Sequence, residues 1–208
     1  QSGSTVVLGD TLQNHEVWTN SGQTQVGGTH QIVAQSVNQL ESGVVYSNQL
    51  ELTSDLIENK GVFIGSEQLN VNAVELNNEG LMQGELNTEI IATRIMNSGI
   101  LEGSDQISVE STGLTNTGTI QSDQQVMINS DEIENTGTLY SSDEIDITVG
   151  QIYNSGVVQG TELALNGEEI TNNGSIIGQT SAAITGGYIV NDSDGYIQGD
   201  QNISVVAD

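Results

Sequence analysis

The sequence predicts an all-β protein, a right-handed parallel β-helix (β-solenoid) of about eleven coils with about 19 residues in each coil. Three observations predict this fold class. An Asn-x-Gly motif recurs at a nearly constant spacing, aliphatic residues recur in register with it, and the composition has 25 glycines but no proline and no cysteine. We therefore expect residues 1–208 to form a single β-helix segment, most regular over residues 43–178 and internal to a longer protein.

The Asn-x-Gly motif keeps its register along most of the chain. From Gly61 to Gly156, successive glycines lie 19 residues apart five times in a row, and units of 18 or 21 residues flank this stretch. Glu41-Ser42-Gly43 takes the place of the motif in the unit where the asparagine is missing. The coil corners predicted from the motif are Asn59, Gly61, Asn78, Gly80, Asn97, Gly99, Asn116, Gly118, Asn135, Gly137, Asn154 and Gly156.

Aliphatic residues fall at fixed distances from these glycines. One column lies two residues after each glycine, and an alternating apolar pair follows further along the unit. Because successive side chains of a strand point to opposite faces, the alternation predicts short strands with one buried face. One unit cannot bury its apolar face alone, so stacked units are expected to align like residues in a continuous core. The predicted core ladder includes Leu101, Ile120, Leu139, Val158, Val109, Ile128 and Ile147.

The residue types at the corners have a physical reason. Glycine tolerates positive φ and a close approach of neighbouring backbones, and both are expected where a coil turns sharply. An asparagine amide can bond the backbone of its own turn and, when stacked in register, the amide of the next coil. A second column of small residues, four positions after each glycine, predicts the next corner.

The charge excludes one class of partner. The chain has 28 acidic residues against only Lys60 and Arg94, a formal net charge of −26. Nucleic acid is excluded as a partner, because neutralising its phosphates requires many lysines and arginines. We also expect the rod to be monomeric.

Two units illustrate the repeat, NSGILEGSDQISVESTGLT and NTGTIQSDQQVMINSDEIE. They resemble the filamentous haemagglutinin-type repeats of two-partner secretion exoproteins. The resemblance implies a chain that is secreted through an outer-membrane partner transporter and folds at the bacterial cell surface. It also implies the structural shaft of a large fibre that presents a distal adhesive or toxin-delivery element, as in haemagglutinin adhesins or the stalks of contact-dependent growth inhibition effectors. Other regions of such a fibre would contact a host or bacterial receptor.

Two other functions remain open from the sequence. One is an adhesin module in which one face of the rod binds a surface glycan or protein. The other is a carbohydrate-active enzyme, because some enzymes of this kind are β-helices and use paired carboxylates. Asp143 and Glu162 are predicted to share an outward column one repeat apart, and Glu67 and Asp105 to share the same column. We expect a solvated acidic face here, no catalytic residue and no cofactor.

Three further features are predicted to have structural roles. Asp192, Asp194 and Gly195 resemble part of a calcium loop, but a two-residue insertion explains them as a widened corner. His15 and His30 lack a partner at metal-ligand spacing, so we expect both on the surface and no metal site. The segment TQVGGTHQ lies in a 21-residue unit and is predicted to form a loop that projects from the rod.

Overall fold

The computed structural model describes residues 4–7 and 9–207 and confirms the predicted fold class. The described chain is all-β and contains no helix, and its parallel strands stack in coils about 19 residues apart to form a β-solenoid of about ten turns. The strands are β1 (Ser4–Val7), β2 (Thr11–Asn20), β3 (Gln23–Gln39), β4 (Val44–Asn59), β5 (Val62–Asn78), β6 (Leu81–Gly84), β7 (Asn87–Asn97), β8 (Ile100–Gly103), β9 (Gln106–Asn116), β10 (Thr119–Ser122), β11 (Gln125–Asn135), β12 (Thr138–Ser141), β13 (Glu144–Asn154), β14 (Val157–Asn172), β15 (Ser175–Asn191), β16 (Tyr196–Gly199) and β17 (Asn202–Ala207).

Each regular coil consists of a short strand and a long strand. In the coil of β8 and β9, the short strand pairs with β6 and β10, and the long strand pairs with β7 and β11. The long strand bends at Thr112, which has no partner in the ladder on either side. A coil therefore has three straight segments around one core, and every interior coil is hydrogen-bonded to the coils before and after it.

The core is a set of continuous apolar columns. The side chains of Leu101, Ile120, Leu139 and Val158 are fully buried and stand over one another in paired strands. A second column is formed by residues that are at most 2% exposed, Val71, Ile90, Val109, Ile128, Ile147 and Leu165. Near the first coils, the rings of Trp18 and Phe63 lie 6.1 Å apart across the core.

Units of unusual length are accommodated at corners. Both 18-residue units lack one residue at the same corner, between Ser47 and Gln49 and between Gly160 and Glu162. The 21-residue unit before Gly43 has its two extra residues at the Asn/Gly corner, where Gly43 N donates to Leu40 O. The prediction of a projecting loop at TQVGGTHQ is therefore wrong, because this segment lies within β3 and pairs with β4.

The corner glycines are required by close packing rather than by unusual backbone angles. None of them has a positive φ, so that part of the expectation is wrong. At Gly80 an added Cβ would overlap the carbonyl oxygen of Gly61 in the coil before it, and at Gly99 it would overlap that of Gly80. The absence of a side chain is what lets successive corners stack at the spacing of paired strands.

Val109→Asp places a carboxylate in the middle of the core, and Ile120→Asp does the same in the neighbouring column. We expect each to destabilise its own and adjacent coils by at least about 4 kcal/mol, because an unpaired charge would be buried. Amide hydrogen exchange resolved by coil measures the effect. Ser108→Asp is the matched control, since Ser108 precedes Val109 but points outward. Equal protection in Val109→Asp and Ser108→Asp would contradict the core assignment.

Candidate functional site: an asparagine ladder and a low-charge face

The corner asparagines form one continuous ladder of side-chain amides. Asn116 is fully buried, and its Nδ2 donates to Asn135 Oδ1 at 2.8 Å while its Oδ1 accepts from Asn97 Nδ2 at 2.8 Å. The same bond, at 2.7–2.8 Å, joins each amide to the next from Asn59 to Asn191. The members of the ladder are Asn59, Asn78, Asn97, Asn116, Asn135, Asn154, Asn172 and Asn191.

Each amide of the ladder also bonds the backbone of the corner. Asn116 Nδ2 lies 3.3 Å from Gly118 O in its own turn and 3.2 Å from Thr138 O in the next coil. The backbone carbonyl of Asn116 accepts the N–H groups of both Thr136 and Gly137. Buried polar groups are stable only when they are hydrogen-bonded, and these asparagines satisfy one another along the rod. The arrangement leaves no amide free for a ligand, so its role is to hold the corners in register.

Gln39 occupies the asparagine position of the 21-residue unit. Its Cα pairs with both Asn20 and Asn59, and its side chain is 1% exposed. The longer side chain donates to Val62 O at 2.8 Å, but its Oε1 is buried without a partner. The spacing of the glycines assigns this corner to Glu41-Ser42-Gly43 and does not identify Gln39. Its position two residues after the core residue Val37 was the signal, since Asn59 follows Ile57 in the same way.

The prediction that Asp143 and Glu162 share an outward column is wrong. Glu162 pairs with Glu144, because the 18-residue unit omits a residue just before it, and Asp143 lies one position earlier on the corner. Glu144 and Glu162 are both exposed, and Gln125 Nε2 donates to Glu144 Oε2 at 2.9 Å. Glu67 and Asp105 lie two coils apart on the same corner, with Leu86 between them. These carboxylates are solvated side chains on open surfaces.

Lys60 and Arg94 lie at different places in their coils. Lys60 forms an exposed ion pair with Glu79 at 3.2 Å, while Arg94 lies in a different column, paired through its backbone with Glu75 and Gly113.

In the described part of the chain, no group of three or more His, Cys, Asp or Glu residues could hold a metal ion. Gly195 N donates to Asp192 O at 2.9 Å, a turn that matches the widened corner before Gly43.

His30 is fully buried, whereas His15 is exposed. The expectation that both lie on the surface is therefore wrong for His30. Because TQVGGTHQ is part of a strand, His30 stands in the core column directly below Leu50. Its Nδ1 shares a hydrogen bond of 2.7 Å with Thr11 Oγ1, and its Nε2 has no partner. Burial lowers the pKa of His30 from 6.5 to about 4, so the ring is neutral at pH 7.

One side of the rod carries almost no charge. It is formed by the outward residues one and three positions after each corner glycine, and we call it the low-charge face. Among the acidic residues that the structure describes, only Glu102 lies on it, and Glu102 accepts a bond from Gln121 at 3.1 Å. Its two columns are Gln23, Val44, Val62, Leu81, Ile100, Thr119, Thr138, Val157, Ser175 and Tyr196, and Gln25, Tyr46, Ile64, Gln83, Glu102, Gln121, Tyr140, Gln159, Ile177 and Gln198.

The apolar residues of the low-charge face are concentrated in four successive coils. Val44, Val62, Leu81 and Ile100 pair in one column, and Ile64 lies beside them in the other. All are partly exposed, and Ile100 is 39% exposed. These five side chains form a continuous apolar strip on the low-charge face.

These features define the protein as a β-solenoid whose corners are held by an asparagine ladder. No protein-family model matches the chain, and neither a curated protein nor a solved structure shows significant similarity to it. Among the described residues, no helix is long and apolar enough to cross a membrane.

Asn116→Asp tests the ladder, because it keeps the shape of the side chain but removes the N–H donors. We expect the variant to lose about 3 kcal/mol or more of stability at pH 7, since a buried carboxylate would face Asn135 Oδ1 and two carbonyl oxygens. Denaturant unfolding followed by circular dichroism measures the loss. Asn129→Asp, on an exposed position of the same unit, is the control and should unfold at the same denaturant concentration as the wild type. Equal loss in both variants would argue against the ladder.

His30 predicts a pH dependence of stability. The pKa of His30 is about 4 in the folded chain and 6.5 in the unfolded chain. Above pH 6.5 the ring is neutral in both states, so the protein has its full stability. As the pH falls from 6.5 towards 4, the unfolded chain binds a proton that the folded chain does not, and up to about 3 kcal/mol is lost. The loss should be seen as faster amide exchange in the first coils at pH 4.5. His30→Leu should remove this dependence and His15→Leu should leave it intact; the same profile in all three proteins would contradict the assignment.

Proposed function

We propose that the chain is the structural shaft of a secreted, cell-surface fibre that holds a distal adhesive or toxin-delivery element away from the cell. The observation that carries the proposal is the unbroken stack of about ten coils, in which every interior coil is bonded to both neighbours. With coils about 4.8 Å apart, the rod is on the order of 50 Å long. Its repeat resembles filamentous haemagglutinin-type repeats, which favours export through an outer-membrane partner transporter.

Stiffness along the axis supports the proposal of a shaft. Bending the rod would separate paired strands on one side and would strain the buried amide ladder, where the bonds are 2.7–2.8 Å long from coil to coil. The Oδ1 atom of Asn116, once removed from Asn97 Nδ2, would be left buried without a bond, at a cost of about 1–3 kcal/mol. The ladder therefore favours a straight rod over a flexible linker.

The outer surface also favours a structural role over catalysis. The paired carboxylates Glu144 and Glu162 are exposed on a flat strand rather than enclosed in a cleft. A depression of about 620 Å³ at the bend of the long strands is open to solvent, and its lining places Asp131 and Glu168 among small and uncharged residues such as Gly150. Active sites are usually concave and hold their substrate away from water. An enzyme acting on polysaccharides is the less well supported alternative.

A coil-deletion experiment tests the shaft. Removing residues 100–118 joins Gly99 to Thr119, which is the strand partner of Ile100, and so removes one coil in register. Because the chain has no cysteine, Ser42→Cys and Asn173→Cys give two unique sites for spin labels. Seven coil spacings separate these corners, or about 34 Å, and the deletion should shorten the distance by about 4.8 Å with an equally narrow distribution.

The control removes residues 100–108, about half a coil, and should broaden the distances because the strands can no longer pair in register. A broad distribution in the intact chain would contradict a rigid shaft. Binding of the isolated chain to host or bacterial cells that survives high salt and depends on one face would instead support an adhesin module. Turnover of an acidic polysaccharide, lost in Glu144→Gln or Glu162→Gln, would support the enzyme.

A further inference from the structure

The low-charge face differs from every other side of the rod. The chain carries a formal net charge of −26, yet only Glu102 among the described acidic residues lies on this face, whose two columns are otherwise apolar, hydroxyl or amide side chains. Carboxylates occur on both other faces and at the corners. The paired side chains of Val44, Val62, Leu81 and Ile100 form an exposed apolar strip on it, and exposed apolar patches mark interaction sites.

The size of the face is sufficient for a specific interface. A strand segment of four residues is about 13 Å long, and about ten such strands lie about 4.8 Å apart. The face therefore covers roughly 600 Å², and two faces packed together would bury roughly 1,200 Å², the lower end of standard protein interfaces. Flat sheets pack well on one another, with side chains of the two faces interdigitating about 10 Å apart.

The distribution of charge indicates which partner fits. A cationic partner would bind the acidic sides, where the carboxylates are, and would gain nothing from this face. A second copy of the chain is repelled on those same sides, and this is the one surface on which two copies can meet with almost no carboxylate between them. Closed pairs of identical chains use one surface twice, so the same apolar columns would serve both copies.

We propose that two copies of the rod pair side by side through the low-charge face, with Val62, Leu81 and Ile100 at the centre of the contact. The net charge alone favours a monomer, but the fold confines that charge to the outer sides of the pair. The remaining repulsion between the rods is screened by salt, so pairing strengthens as ionic strength rises. The pairing is independent of the proposed shaft function, because it requires only the surface.

Sedimentation equilibrium of the 208-residue chain tests the pairing. Between about 0.01 M and about 1 M NaCl the Debye length falls from roughly 30 Å to 3 Å, and the dimer dissociation constant should fall roughly tenfold or more. Ile100→Glu buries a carboxylate in the contact and should weaken pairing on the order of 100-fold. Glu102→Gln removes the one charge from the contact and should strengthen pairing.

Ile91→Glu is the matched control. Ile91 is 40% exposed and Ile100 is 39% exposed, both point outward, and they lie in adjacent coils on different faces. The control should pair like the wild type. If Ile100→Glu does not fold, Thr119→Glu introduces the same charge on the same face next to Ile100. Spin-label distances along the axis, which measure the length and rigidity of the rod, should be the same in the monomer and the pair.

Three outcomes would overturn the pairing. The first is a monomer at every salt concentration, whether or not a neutral polysaccharide binds the face. The second is a dimer that salt dissociates, because its contact would then depend on charge. The third is equal weakening by Ile91→Glu and Ile100→Glu, which would place the contact elsewhere.

Discussion

The structure depends on parallel strands that stay in register from coil to coil. Once Leu101 lies between Met82 and Ile120, every other column of the unit is fixed, because a slip of one residue would turn each inward side chain outward. The core, the asparagine ladder and the outer faces are all consequences of this single alignment. It also explains why extra or missing residues are found only at corners, where they do not interrupt the pairing of strands.

The buried amides make the register specific as well as stable. An apolar column is tolerant of sliding, since one aliphatic side chain packs much like another. An asparagine ladder is not tolerant, because each amide must meet another at hydrogen-bond distance, as Asn97 meets Asn116 at 2.8 Å. Gln39 illustrates the constraint: its longer side chain reaches the backbone of the next coil but leaves Oε1 buried without a partner.

The stacking of coils also places charged and uncharged side chains on different surfaces. Side chains at equivalent positions of each unit form columns, so a residue preference that is weak in one repeat becomes a face of the whole rod. One face is nearly free of carboxylates, while the other sides hold nearly all of the negative charge. A shaft with such surfaces can resist general association and still offer one surface for a specific contact.

The coil length, the alternation of inward and outward residues and the corner asparagines can be read from the order of residues, because they follow from local periodicity. The places where irregular units hold their extra or missing residues are visible only in the pairing of the strands. This pairing moved His30 into the core, paired Glu162 with Glu144 rather than Asp143, and gave Gln39 the asparagine position. The repeat spacing gives only the number of residues in a unit. Strand pairing determines which of those residues lie at a corner, and that placement determines the strand partner of every residue that follows.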